Sequence, residues 1–164
     1  MKRIACFFLL LASCAPAFAW NEPDSFRGIK WGTDIAALGT GWVETERDGS
    51  NAAYKRIGDQ LNIGTAAIGP PAYVFYKGRF YAAIVTFRSL SNFQKIKDTV
   101  FSAYGPGVQY NRYIERFLWS GTTVTVLLTF DSLKMGSLYY QYGPIAKQRE
   151  ADSKEAGQMA VGDL

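Results

Sequence analysis

The chain has 164 residues, of which 18 are basic, 14 are acidic and none is histidine. This length is typical of one domain, and the scattered charge lacks the concentrated basic face of a nucleic-acid-binding domain, so nucleic acid is not a predicted partner. Without histidine the chain cannot form a Ser-His-Asp triad or a histidine-ligated metal site.

The first 19 residues are predicted to be a signal peptide. Lys2 and Arg3 form a positive n-region, residues 4–11 form an apolar h-region, and residues 17–19 (Ala-Phe-Ala) offer a cleavage site before Trp20. The apolar run is too short to span a bilayer. We therefore predict export to a bacterial periplasm, and cleavage lowers the formal charge from +4 to +2.

Residues 11–14 (Leu-Ala-Ser-Cys) support an alternative interpretation, because they resemble a bacterial lipobox. Lipidation of Cys14 would anchor the protein, and Ala15 would then favour the outer membrane. Cys14 lies early for a lipobox, so soluble export remains the leading prediction, with a membrane as partner only through this anchor. A chain that begins at Trp20 contains no cysteine, so we predict no disulfide, metal or cofactor.

A short motif follows a polar lead-in at residues 20–25. Residues 26–31 are predicted to form a strand with Arg27, Ile29 and Trp31 on one side, ahead of a short helix at 34–38 that Thr33 would cap. The two glycines of this motif are too close for a phosphate loop, and no lysine follows the second one. We interpret the motif as a structural anchor.

The strongest β signal is a hairpin formed by residues 73–76 and 79–88 around Lys77-Gly78. Its second strand is apolar on both faces at residues 83–85, which predicts a central position in the sheet. Weaker patterns predict further strands at 42–47, 53–57 and 61–67.

The best helical pattern covers residues 92–104. Its apolar residues form a single stripe, and Ser91 with Gln94 fits a capping box. Gly105-Pro106 ends the helix. The members of the stripe are Phe93, Ile96, Val100, Phe101 and Tyr104.

A second hairpin is predicted at residues 114–119 and 122–130, and a last strand at 137–142. The two hairpins share a pattern at a spacing of 43 residues, which indicates either two related halves or convergence on the same turn chemistry. Residues 145–164 are polar and predict a solvated helix or a disordered tail outside the core.

These elements predict an α+β fold in a single domain at residues 26–144. The fold is an antiparallel, meandering sheet with the long helix and the short helix packed on one face.

Three motifs are similar to those of a group of small exported bacterial proteins of unassigned function. They are the early F-x-G-x-x-W-G at residues 26–32, the Y-G-P at 104–106, and the tyrosine-rich strand at 138–142. The resemblance covers most of the exported chain and implies an exported domain. Its motifs are structural, so it implies no site residues.

Six tyrosines are the candidate binding residues, because rows of tyrosine on a sheet face give a large contact area at low entropic cost. We predict a non-catalytic module that binds an envelope protein or a cell-wall or lipid component through this aromatic-rich face. The candidates are Tyr73, Tyr76, Tyr81, Tyr139, Tyr140 and Tyr142.

Two alternatives remain open. A small apolar or sugar ligand could bind in a pocket between the 92–104 helix and the sheet. A carboxylate-based hydrolase is the weakest candidate, because the acidic residues show no diagnostic spacing. The acidic residues considered are Asp59, Asp98, Glu115 and Asp131.

Overall fold

The computed structural model describes residues 20–162, and the predicted signal peptide and Cys14 lie outside this range. The strands are β1 (Ser25–Phe26), β2 (Ile29–Lys30), β3 (Trp42–Asp48), β4 (Asn51–Arg56), β5 (Asn62–Ile63), β6 (Ala66–Ala67), β7 (Ala72–Tyr76), β8 (Arg79–Arg88), β9 (Glu115–Ser120), β10 (Val124–Phe130) and β11 (Met135–Tyr142). The helices are α1 (Leu90–Tyr104), α2 (Gly143–Gly162) and a 3-10 helix (Ile35–Leu38).

Seven strands form one antiparallel sheet in the order β3-β4-β7-β8-β11-β10-β9. Each half is a meander, and the halves meet where β11 pairs with β8. The predicted α+β fold with an antiparallel sheet is confirmed, and β8 is central as predicted. Both predicted hairpins are present, but the first continues into α1 and the second into β11, so their similarity does not extend beyond the hairpins.

The inner face of the sheet is the one that packs against α1. The predicted apolar stripe of α1 points at this face, where Phe93, Ile96 and Val100 are at most 3% exposed. Phe93 stacks on Phe130 with ring centroids 4.7 Å apart, and Phe130 in turn stacks on Phe87 at 6.4 Å. The 3-10 helix packs against the same core as α1, through Ile35 and Leu38.

The F-R-G-I-K-W-G-T motif forms a tight hairpin of β1 and β2, and the prediction of a single strand is wrong. Arg27 and Gly28 both have positive φ, 49° and 81°, which is typical of a two-residue hairpin turn. The turn places Phe26 and Ile29, each 7% exposed, together in the core. The motif therefore acts as an anchor for the N-terminal segment.

Helix boundaries and one strand also differ from prediction. Ser89, and not Ser91, caps α1 by accepting a hydrogen bond from the Asn92 backbone, and Asp34, and not Thr33, caps the 3-10 helix. The single strand expected at residues 61–67 is a small hairpin of β5 and β6. In each case a capping side chain or a tight turn sets the boundary of the element, and the hydrophobic periodicity of the segment does not reveal it.

The polar tail is an ordered helix, α2, and its first turn joins the core. Ile145 is 2% exposed and packs on the outer face of the sheet, opposite α1. About two turns further on, Asp152 accepts a hydrogen bond from Tyr76 at 2.7 Å and pairs with Lys77 at 2.7 Å. Beyond Asp152 the side chains up to Met159 are exposed, so only the beginning of α2 covers the sheet.

The N-terminal segment is fastened to the turn between β9 and β10. The Glu22 carboxylate accepts hydrogen bonds from the backbone N–H groups of Thr122, Thr123 and Val124. A side chain on Gly121 would overlap Glu22, so glycine is needed at this turn. The N–H of Thr123, together with those of Thr122 and Val124, holds the pKa of Glu22 at about 2, although burial acts in the opposite direction.

Replacing Phe93 by Ala tests the aromatic stack beneath α1. We expect the free energy of unfolding to fall by roughly 3–5 kcal/mol, because a large buried ring leaves a cavity. Urea unfolding followed by circular dichroism measures the change. Leu90→Ala on the same helix is the matched control, because Leu90 is 52% exposed; equal losses in the two variants would contradict the packing described.

The Glu22 contact predicts a pH dependence of stability. Because the pKa of Glu22 is lowered in the folded state, its contribution is present above about pH 5 and is lost as the pH falls toward 2. Glu22→Gln should therefore lower stability at pH 7 and make the loss between pH 5 and pH 3 shallower. Urea titrations at several pH values measure both effects. Exposed Glu46→Gln serves as control, and parallel curves for wild type and Glu22→Gln would refute the assignment.

Candidate binding surface

Four of the six candidate tyrosines are buried. Tyr73 and Tyr140 are 0% and 6% exposed on the inner face, and Tyr76 and Tyr81 are 6% and 4% exposed on the outer face. This burial corrects the expectation that they form an accessible binding surface. The reason is that Phe26 of the N-terminal hairpin packs on the inner pair, while α2 covers the outer pair through residues between Ile145 and Asp152.

The other two candidates are partly exposed. Tyr142 stacks on Trp31 with nearly parallel rings 6.4 Å apart, which holds it at the margin of the core. Tyr139 lies on the outer face at the edge of the area that α2 covers. Partial burial raises the pKa of its hydroxyl. Of the six candidates, Tyr139 is the one that belongs to the open part of a sheet face.

Tyr73 contributes to a cluster that we call the polar clasp, formed by Arg27, Arg56, Asp59 and Tyr73. The Asp59 carboxylate accepts hydrogen bonds from the Tyr73 hydroxyl at 2.5 Å, from Arg27 at 2.8 Å and from Arg56 at 3.1 Å. Arg27 also donates to the backbone carbonyls of Gln60 and Asn62. The clasp thus ties the N-terminal hairpin to the loop after β4.

The Asp59 carboxylate of the polar clasp is compensated by two arginines, Arg27 and Arg56. Burial alone would raise the pKa of Asp59, but hydrogen bonds from Tyr73 and Arg27 and the charge of Arg56 lower it below its ordinary value. Burial and the hydrogen bond to Asp59 raise the pKa of Tyr73 above its ordinary value. Because these groups satisfy one another, we interpret the clasp as structural.

The outer face carries a continuous line of apolar side chains that we call the outer apolar row. Strand register places Ile84 opposite Tyr139, Tyr139 opposite Leu127, and Leu127 opposite Leu118. All four side chains are partly exposed. The row crosses β8, β11, β10 and β9, and its Tyr139 packs against the cluster that contains Ile145 of α2.

Alternation along β10 explains why both faces are apolar in this part of the sheet. Val124, Val126 and Leu128 point to the inner core and are at most 1% exposed, while Leu127 points outward between Thr125 and Thr129. Thr129 is hydrogen-bonded to Ser137 across the strands at 2.9 Å. Small hydroxyl side chains therefore border the outer apolar row.

At the β9 edge, residues 107–114 form an exposed segment that we call the edge loop. Its Val108 pairs with Leu118 through two backbone hydrogen bonds of 2.8 and 3.0 Å. Tyr110 and Tyr113 are 83% and 79% exposed, and Ile114 is 53% exposed. The loop and β9 enclose a groove of about 230 Å³ lined by Val108, Tyr110, Asn111, Ile114, Arg116 and Leu118.

The sequence prediction missed the edge-loop tyrosines because it ranked tyrosines by their presence in strand patterns. Tyr110 and Tyr113 follow the helix-ending Gly105-Pro106 and flank Asn111-Arg112, which is typical of a turn. Large apolar side chains in a turn have no sheet or helix face to bury them. That signal was available in the sequence.

The opposite edge of the sheet is different in character. Strand β3 is exposed along nearly its whole length and is interrupted by a bulge between Glu44 and Glu46. Glu44 accepts hydrogen bonds from Arg47 and from the Tyr54 hydroxyl. Charges and bulges discourage pairing with another strand, so this edge is protected against strand addition.

Three of the four acidic residues considered for hydrolysis are held in separate structural contacts, and the fourth, Asp98, is exposed on α1. Asp59 belongs to the polar clasp, Glu115 lies 3.5 Å from Lys97, and Asp131 accepts hydrogen bonds from the backbone of its own turn. Among residues 20–162, no three His, Cys, Asp or Glu side chains are grouped as metal ligands would be. The geometry therefore gives no support to the hydrolase alternative.

The contact between α1 and the sheet, where the small-ligand alternative requires a pocket, is closely packed. Phe101 meets Phe117 and Trp119 edge to face at 5.2 and 5.7 Å, and Trp119 donates a hydrogen bond to the carbonyl of Gly105. Together with the stacked ring of Phe93, these side chains fill the space beneath the helix.

A comparison with models of known protein families, with curated proteins and with solved structures found no match. The resemblance inferred from the F-x-G-x-x-W-G motif therefore stays a prediction. None of the helices within residues 20–162 is long and apolar enough to cross a membrane.

Removing the negative charge of Asp59 from the polar clasp should destabilise the fold. Asp59→Asn leaves Arg27 and Arg56 facing a neutral group, and we expect a loss on the order of 3 kcal/mol in the free energy of unfolding. Urea unfolding at pH 7 measures it. Asp98→Asn, at an exposed position of α1, is the matched control, and a loss no larger than that of the control would show that the clasp is not structural.

Proposed function

We propose that this protein is a non-catalytic module of the bacterial envelope that binds an envelope protein through the outer apolar row. The observation that carries the proposal is the unbroken line of Ile84, Tyr139, Leu127 and Leu118, which α2 leaves largely uncovered. Burial of such a surface is the main favourable term in protein association.

The composition of this surface supports a protein as the partner. The row occupies four neighbouring strands and so extends about 15 Å across the sheet. Its members are uncharged, and hydroxyl groups such as those of Thr125, Thr129 and Ser137 border it. An apolar centre depleted of charge with a polar rim is typical of protein–protein interfaces.

The shape of the surface also favours a protein over a small molecule. Small-molecule sites are concave and enclose most of the ligand. The row lies on the face of a sheet, and its Leu118 end borders the groove that the edge loop forms with β9. Ile84, Tyr139 and Leu127 do not line that groove, so most of the row gives a sugar or lipid ligand no enclosure there.

Site-specific photo-cross-linking in the native envelope tests the proposal. The photoreactive residue p-benzoylphenylalanine replaces Leu127 in one variant and Leu61, which is 51% exposed far from the row, in the control. We expect one discrete adduct from position 127 and none of that size from position 61. Mass spectrometry then identifies the captured protein.

A second variant ties the adduct to the row itself. Leu118→Ser, introduced beside the photoreactive residue at 127, should reduce the yield of the same adduct several-fold while circular dichroism shows an unchanged fold. Leu61→Ser is the matched control. Equal adducts from positions 127 and 61, or no adduct from position 127, would overturn the proposal.

A further inference from the structure

The edge loop exposes large apolar side chains on a turn that carries positive charge. Tyr110, Tyr113 and Ile114 are 83%, 79% and 53% exposed. Single exposed apolar residues are normal, but several together at one tip mark an interaction site. The outer apolar row does not include these side chains, so their exposure needs a separate explanation.

The loop carries basic charge without acidic neighbours in its own segment. Residues 107–114 contain Arg112 and no acidic residue, Glu115 follows directly, and Arg116 lines the adjoining groove. The Arg112 guanidinium lies over the ring of Tyr113, 4.8 Å from its centroid. Aromatic and basic groups are therefore presented together at the tip.

Nearby acidic groups are already engaged. Glu115 lies 3.5 Å from Lys97, whose ammonium group is 4.3 Å from the centroid of the Phe117 ring. On the neighbouring turn, the Asp131 carboxylate accepts hydrogen bonds from the backbone N–H groups of Leu133 and Met135. The charged groups named at and beside the loop are Arg112, Arg116 and Lys97 against Glu115 and Asp131, which sum to a net charge of +1.

The segment that precedes the described fold joins it at the corner where the edge loop begins. Trp20 packs edge to face against Tyr104 at 5.6 Å, and Tyr104 is the last residue of α1 before the loop. Five residues lie between Cys14 and Trp20, and five lie between Tyr104 and Tyr110. Each of these segments reaches at most about 20 Å.

We infer that the edge loop is a membrane-contact element for an anionic lipid surface. Tyr110, Tyr113 and Ile114 enter the headgroup region, where amphipathic rings are favoured, and Arg112 and Arg116 bind lipid phosphates. Positive charge on the loop complements the negative charge of the lipid surface.

The charge and the amphipathic side chains of the loop argue for lipid as the occupant, and the lipobox alternative would add to that argument. In that alternative Cys14 stays attached and carries a lipid, and the short reach to Trp20 brings this corner of the domain to the bilayer. Stable anchoring takes a second signal besides a lipid chain, such as a basic and apolar patch. The loop supplies that signal, and tethering raises its effective concentration at the surface.

Vesicle co-sedimentation tests the inference. The protein beginning at Trp20 contains every residue of the described fold and lacks Cys14, so binding reports the domain alone. Vesicles of phosphatidylethanolamine and phosphatidylglycerol are compared with vesicles of phosphatidylcholine. We expect binding to the anionic vesicles that weakens as the salt concentration rises, and little binding to phosphatidylcholine.

Two loop variants and two controls assign the binding to the loop. The double variant Tyr110→Ser with Tyr113→Ser should lower the partition coefficient at least about tenfold, and Arg112→Gln should lower it about fivefold. Ile57→Ser and Arg88→Gln alter exposed apolar and basic residues elsewhere and should leave it unchanged.

Three outcomes would overturn the inference. They are absence of binding to anionic vesicles, equal losses in the loop and control variants, and a photo-cross-link from position 113 that captures a protein while vesicles do not bind. The last would identify the loop as a protein contact. The loop variants leave Leu127 and Leu118 intact, so failure here is distinct from failure of the proposed protein-binding function.

Discussion

The central physical constraint is that one sheet has two apolar faces, and the chain covers only one of them completely. Strands β8, β10 and β11 bury an apolar inner side and also carry apolar side chains on the outer side. The inner side is closed by α1 and the N-terminal hairpin, with residues such as Val85 and Val126 fully buried. The outer side is covered in part, by the first half of α2. The remaining apolar area on the outer side is the physical basis of the proposed function.

The abundance of tyrosine has a structural explanation at several positions. A tyrosine ring can occupy the edge of the core while its hydroxyl reaches a polar partner. Tyr73 does so at Asp59, Tyr76 at Asp152, and Tyr81 at Asn51. The first two hydroxyls connect the sheet to the loop after β4 and to the helix α2, and the third connects two strands of the sheet, β8 and β4. A high tyrosine content is therefore weak evidence for a binding surface.

The elements predicted best from sequence are those in which local pattern and tertiary packing agree. The stripe of α1 and the hairpin around Lys77-Gly78 carry clear periodicities, and both are present. The role of α2 could not be predicted, because Ile145 is a single apolar residue in a polar segment and gives no periodic signal. Without α2, the burial of Tyr76 and Tyr81 could not be predicted either. The pairing of β11 with β8 depends on contacts distant in sequence.

The two edges of the sheet have different roles because their chemistry differs. Charge and a bulge protect β3 from pairing with other strands. The edge of β9 is instead paired with Val108 of the edge loop, the apolar and basic segment that directly precedes β9 in the chain. The outer apolar row ends at Leu118, the residue that pairs with Val108. The two proposed surfaces therefore meet at one residue pair. A protein bound on the row and a bilayer contacted by the loop would be neighbours, which requires a partner that itself lies at the membrane surface.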